Sequence, residues 1–66
     1  MQVWINGSAR ELAAGARIAD AVAELGVPSS GIAVAVDGEV VPRASWADTE
    51  LVEGARVEVL TAVQGG

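Results

Sequence analysis

The sequence predicts an α+β fold, in which a mixed sheet of about five strands packs on one main helix. Two dipeptides, Asn-Gly at residues 6–7 and Asp-Gly at residues 37–38, each join a pair of short β-favouring segments, as two-residue hairpin turns do. Residues 17–25, between the hairpins, carry apolar side chains at a helical spacing. Residues 56–63 alternate in the manner of a strand.

The first hairpin joins residues 2–5 to residues 8–12. Because successive side chains of a strand point to opposite faces, Val3 and Ile5 are expected to face a core, and Trp4 the other side of the sheet.

The helix is expected over residues 17–25, where Ile18, Val22 and Leu25 fall on one face. Gly26 follows at the position where a left-handed C-terminal residue is favoured. No Ser, Thr, Asp or Asn precedes the first turn to cap its N–H groups. A helix this short therefore depends on packing against the sheet.

The second hairpin pairs residues 32–36, in which large and small apolar residues alternate, with residues 39–41. Pro42 ends it, because proline cannot donate to a strand ladder. Residues 44–51 are expected to form an irregular or single-turn connection to the last strand, residues 56–63.

The order of these elements predicts how the sheet is assembled. A right-handed crossover through the helix places both hairpins in one mixed sheet, with the last strand in the centre beside the first. This layout is a ubiquitin-like β-grasp. We expect residues 1–66 to form a single domain of this kind, with a flexible tail from about residue 63.

Composition restricts how such a domain is stabilised and what it binds. The 66 residues include no Cys and no His, so the core must form from the 52% of residues that are hydrophobic. Nine acidic and four basic residues give a net charge of −5, which argues against binding to nucleic acid or to an anionic membrane. No signal-peptide pattern and no apolar run of membrane length is visible, so a cytoplasmic protein, monomeric when free, is expected.

The sequence offers few groups for catalysis. Lys and Tyr are absent as well as Cys and His, so the usual nucleophiles and general bases are missing. The sequence ends on Gly65-Gly66, whose carboxylate is not shielded by a side chain and suits a narrow channel in another protein. Inert flexible tails are also often glycine-rich, so the dipeptide alone does not establish a reactive terminus.

Three segments follow a known pattern: the hairpin of residues 3–12, residues 34–43 followed by Trp46, and the ending of residues 57–66. Together they resemble the ThiS family, the small sulfur carriers of bacterial thiamin (thiazole) biosynthesis. The Val-Pro-Arg-x-x-Trp stretch combined with a terminal Gly-Gly is more specific than either element alone. The resemblance covers the whole chain.

The resemblance implies a carrier that enzymes act on, not an enzyme. In that family an E1-like adenylyltransferase uses ATP to adenylate the last glycine, a cysteine-based donor supplies sulfur for a thiocarboxylate, and a thiazole synthase takes the sulfur. Carried over to this sequence, Gly66 holds the adenylate and then the sulfur, while Gly65 and Gln64 thread into the partner's active site. No cofactor bound by the carrier is implied.

The alternation of side chains along the strands also suggests a face of the sheet that a partner could bind. If Trp4, Leu60 and Ala62 share an exposed sheet face, they would form the apolar centre of a docking surface, although single exposed apolar residues on strands are common. Trp46, with Pro42 and Arg43 of the same motif, would offer a second recognition patch, but a tryptophan in a small Phe-free protein is more often a core residue.

Several other functions stay open at this point. The small subunit of molybdopterin synthase shares the fold and the diglycine, although such chains tend to be longer and to carry aromatic residues that are absent here. Carriers for cysteine synthesis or tRNA thiolation are further options. In a different class, the chain would be a β-grasp interaction module with an inert terminus.

Overall fold

The computed structural model describes residues 1–28 and 30–61. Within these ranges the chain forms five strands, one α-helix and one 3₁₀ helix. In chain order the elements are β1 (Gln2–Ile5), β2 (Ser8–Glu11), α1 (Ile18–Leu25), β3 (Ile32–Val36), β4 (Glu39–Val41), the 3₁₀ helix (Arg43–Asp48) and β5 (Arg56–Thr61). The predicted tail from about residue 63 lies outside the described residues.

The strands form one mixed sheet in the order β2-β1-β5-β3-β4. β5 runs parallel to β1 and antiparallel to β3, so the last strand is central and lies beside the first, as predicted. The register places Ile5 opposite Val57, and Val34 opposite Val59. Side chains of the same parity in the three central strands therefore share one face, and the predicted β-grasp arrangement is confirmed.

The core lies between that face of the sheet and α1. Among the described residues, every buried side chain is apolar. The buried residues are Val3, Ile5, Leu12, Ala16, Ile18, Ala21, Val22, Val34, Trp46, Leu51, Ala55, Val57 and Val59. Each fully buried Val or Ile stabilises the fold by about 1.5–3 kcal/mol relative to exposure, which matters in a domain too small to bury many of them.

The ends of α1 follow from local chemistry. The helix begins at Ile18, one residue later than predicted, and Arg17 occupies the cap position without a side-chain cap bond. The carboxylate of Asp20 accepts the Arg17 backbone N–H at 2.8 Å, and the Thr49 carbonyl accepts the Ile18 N–H at 3.0 Å. Gly26 ends the helix with a φ of 73°, in the left-handed region that glycine adopts without strain.

The connection after β4 is more regular than predicted. Residues 43–48 form a 3₁₀ helix, about two turns at three residues per turn, in place of the irregular or single-turn connection expected over residues 44–51. The Ser45 N–H donates to the Pro42 carbonyl at 2.8 Å, and the Thr49 hydroxyl donates to the Ser45 carbonyl at 2.7 Å. Trp46 is buried in this segment, so the core interpretation of this tryptophan is confirmed.

Candidate functional site

The outer face of the sheet, turned away from α1, carries two of the predicted partner residues. Trp4 is 40% exposed and Leu60 is 61% exposed. Val3 and Ile5, which flank Trp4, are buried, and so is Val59, which precedes Leu60. Both side chains therefore lie on the side that the core does not cover.

Trp4 and Leu60 share this face without being adjacent. Trp4 lies opposite Arg56, so Leu60 is four residues farther along β5, roughly 13 Å away at about 3.3 Å per residue. The side chain of Glu58 lies on the same face of β5, between the position opposite Trp4 and Leu60. A depression in the outer face is lined by Trp4, Gly7, Arg56 and Glu58, together with Val57. A polar area therefore separates Trp4 from Leu60.

Leu60 belongs to a second, apolar area on the β3 and β4 side of the sheet. Ala33 lies opposite Leu60, and Ala35 lies opposite Val40, which is 75% exposed. Sequence reasoning missed Val40 and Arg56 on this face. The two-residue turn at 37–38 fixes the register that pairs Val40 with Ala35, so the signal for Val40 was present in the sequence.

The two hairpin turns also hold β5 through their side chains. Asn6 has a φ of 52°; its Oδ1 accepts the Val59 backbone N–H at 2.9 Å, and its Nδ2 donates to the Val59 carbonyl at 3.2 Å. Asp37, in the same position of the second turn with a φ of 51°, accepts the Arg56 backbone N–H at 3.0 Å. The sequence suggested turn chemistry alone for these two positions.

Four of the predicted site residues, Ala62, Gln64, Gly65 and Gly66, lie outside the described residues. The last described residue is Thr61, which ends β5 opposite Ile32 of β3. The central strand of the sheet thus immediately precedes the segment in which the predicted reactive glycine stands.

The described residues offer little chemistry of their own. Within residues 1–28 and 30–61, no polar or charged side chain is buried, and no three acidic side chains are grouped as metal ligands. Desolvated acids and bases of the kind that catalytic sites use are therefore absent from this part of the chain. The same ranges contain no helix with the length and apolarity needed to cross a membrane.

Comparison with known proteins gives consistent results along the whole chain. Residues 3–66 match the model of the ThiS family. The chain is 29% identical over 66 residues to the sulfur carrier protein ThiS of Escherichia coli (strain K12), and the match covers all of both proteins. It is also 33% identical over 66 residues to a thiazole synthase of Paramagnetospirillum magneticum, of which it spans 20% of the length.

The fold is similar to two solved structures of a thiamine biosynthesis protein from Geobacter metallireducens. The crystal structure of that protein, a ThiS, matches with a TM-score of 0.84 and 26% identity, over the whole of both chains. The NMR solution structure matches with a TM-score of 0.79, over all of this chain and 88% of the other.

Proposed function

The chain belongs to the ThiS family and is a sulfur carrier of thiamine biosynthesis, and we propose that it carries the sulfur as a thiocarboxylate on Gly66. The observation that supports this chemistry most is the extent of the family match, which continues to residue 66 and so includes Gly65-Gly66. The match also favours the thiazole route over the other carriers that share the fold.

The proposed chemistry suits a chain without nucleophilic side chains. A carboxylate is a poor electrophile, so one oxygen of the Gly66 carboxylate first attacks the α-phosphorus of ATP, and pyrophosphate leaves. A sulfide equivalent from a cysteine-based donor then attacks the carbonyl carbon of the acyl adenylate and displaces AMP. The thiocarboxylate that results then gives its sulfur to the thiazole precursor: the carbon–sulfur bond breaks, and a carbon–oxygen bond made with oxygen from the precursor or from water regenerates the carboxylate.

The groups that catalyse these steps belong to partners, because the described part of the carrier holds no buried acid or base. An E1-like adenylyltransferase performs the activation. A thiazole synthase is the acceptor enzyme; the P. magneticum thiazole synthase supports this choice, since a segment similar to the whole of this chain makes up a fifth of that protein. ATP is used by the activating enzyme, so the carrier needs no cofactor of its own, and we place the reaction in the cytoplasm.

The docking surface of this proposal is the outer sheet face with Trp4, Leu60 and Ala62. Leu60 lies on β5, the strand that precedes the terminus, so a partner that binds this face also restricts where Gly66 can reach. Extended, residues 63–66 span on the order of 13 Å, enough for a carboxylate to enter an active site while the domain stays outside. The net charge of −5 favours a partner with a basic surface.

Two variants of the terminus test the proposal. Deletion of Gly66, or addition of one residue after it, should abolish ATP–pyrophosphate exchange by the activating enzyme and leave the thermal unfolding transition unchanged. Normal exchange with either variant would rule out Gly66 as the adenylated residue.

A further inference from the structure

We propose that Asn6 is a positioning residue for sulfur loading, because its side chain fixes the part of β5 from which the chain leads to Gly66. This inference rests on the proposed thiocarboxylate at Gly66. It adds a role for a residue in the first hairpin turn, at the opposite end of the sequence.

The backbone ladder between β1 and β5 stops at the turn. The Trp4 N–H donates to the Ala55 carbonyl at 2.8 Å, and the Asn6 N–H donates to the Val57 carbonyl at 2.9 Å. At Asn6 and Gly7 the chain turns into β2, with φ angles of 52° and 83°, so no further β1 backbone faces β5.

The Asn6 side chain extends this ladder by one more step. Its amide pairs with both backbone groups of Val59, at 2.9 Å and 3.2 Å, as a neighbouring strand would. Val59 is buried, and unpaired backbone groups at a buried position are costly. In the described part of the chain, the last hydrogen bonds from the β1–β2 hairpin to β5 are therefore made by this turn side chain.

The position of this contact relative to the terminus gives it a functional consequence. β3 pairs with β5 as far as Thr61, whereas the β1 backbone ladder reaches only Val57, so the Asn6 amide supplies the hydrogen bonds that hold the later part of β5 on its β1 side. A strand end held on both sides has a better defined direction than one held on one side, and catalysis is sensitive to small errors in the placement of the reacting group. Without the Asn6 amide, the end of β5 would be held by β3 alone.

Asp37 provides a matched control. It occupies the same position of the second turn, with nearly the same φ, and its side chain also accepts a β5 backbone N–H. Its contact is with Arg56, at the start of β5 and farthest from the terminus. Asn6→Gly and Asp37→Gly both keep the turn conformation, since glycine adopts a positive φ freely, and both remove a side-chain contact with β5.

The experiment measures ATP–pyrophosphate exchange by the E1-like enzyme with each carrier as the varied substrate, well below its melting temperature. Asn6→Gly should lower kcat about tenfold, because the carboxylate is placed less accurately. KM should change by less than kcat, because Leu60 of the docking face stays paired with Ala33 of β3, and Asp37→Gly should leave both constants within about twofold. Equal kcat values for the two variants would overturn the proposal.

The other outcomes are equally decisive. If the unsubstituted protein supports no exchange, the proposed function itself fails, and the role of Asn6 fails with it. If Asn6→Gly does not fold, Asn6→Asp takes its place, because aspartate keeps the acceptor and tolerates the turn but loses the donor to Val59. A kcat for Asn6→Asp equal to that of Asp37→Asn would overturn the proposal.

Hydrogen exchange of the backbone amides tests the contact in the unsubstituted protein. The Val59 N–H should be as protected from exchange as the Val57 N–H. Exchange more than about tenfold faster at Val59 would contradict the contact between the Asn6 amide and Val59.

Discussion

The indole N–H of Trp46 donates a hydrogen bond to the backbone carbonyl of Val41 at 2.9 Å. This bond ties the 3₁₀ helix to the end of β4 and orients the ring into the core, where 5% of the residue remains exposed. Trp4, by contrast, stands on the outer sheet face. The two tryptophans therefore have separable roles, one in stability and one on the proposed docking surface.

Replacement of Trp46 by phenylalanine should lower the free energy of unfolding by about 1–3 kcal/mol, because it removes both a buried hydrogen bond and buried volume. Trp4→Phe, the matched change on the surface, should alter it by less than about 0.5 kcal/mol. Urea unfolding followed by far-UV circular dichroism measures both. Equal losses of unfolding free energy in the two variants would show that the Trp46–Val41 hydrogen bond and the packing of Trp46 do not stabilise the fold more than the exposed Trp4 does.

Introducing a charged side chain on the inward face of the sheet tests which face packs against the core. Val34 is buried opposite Val59, so Val34→Asp or Val59→Asp places an unpaired carboxylate in the core. A domain of this size has a net stability of only about 3–10 kcal/mol, so either variant should be unfolded. Ala33→Asp, one residue earlier on the exposed face, should keep a cooperative thermal transition. A transition of Val34→Asp close to that of the parent would mean that the two faces are assigned the wrong way round.

Much of the fold could be predicted because its signals are local. The Asn6-Gly7 and Asp37-Gly38 turns, the helical spacing and Gly26 each depend on a few neighbouring residues, and each prediction is confirmed to within a residue or two. The central place of the last strand beside the first was expected from the β-grasp layout that the order of the elements predicts, and it is confirmed. Alternation along the strands gave the correct face for Trp4 and Leu60.

The remainder depends on contacts between distant parts of the chain. The Asn6 amide binds Val59 across 53 positions of sequence, and no local pattern indicates that β5 will lie beside that turn. The distance between Trp4 and Leu60 depends on the register in which β1 and β5 pair. The alternation of side chains along each strand predicts the face but not that register.

A charged substitution on the outer sheet face tests whether partners bind there. Leu60→Arg should weaken binding to the activating enzyme or to the thiazole synthase about tenfold, because it places a charge in a desolvated contact. The fold should persist, since Leu60 is 61% exposed. Val52 is exposed to a similar extent, 64%, and lies outside the strands, so Val52→Arg is the matched control. Isothermal titration calorimetry on variants first shown to be folded gives the affinities.

An unchanged affinity of Leu60→Arg for both partners would move the docking surface away from the sheet. The segment from Pro42 to Trp46, which the sequence motif also marks, would then be the next surface to test. Equal losses for Leu60→Arg and Val52→Arg would indicate a general effect of charge on an acidic carrier, and not a contact at Leu60.

The reactive group itself can be identified by the intact mass of the protein purified from its native host. A thiocarboxylate carrier should show a fraction whose mass corresponds to the exchange of one carboxylate oxygen for sulfur, and fragmentation should locate the change at Gly66. The same fraction should be missing from a variant with one residue added after Gly66. Protein that is unmodified under conditions of active thiamine synthesis, or that carries sulfur at any other residue, would contradict the assignment of Gly66 as the sulfur-carrying residue.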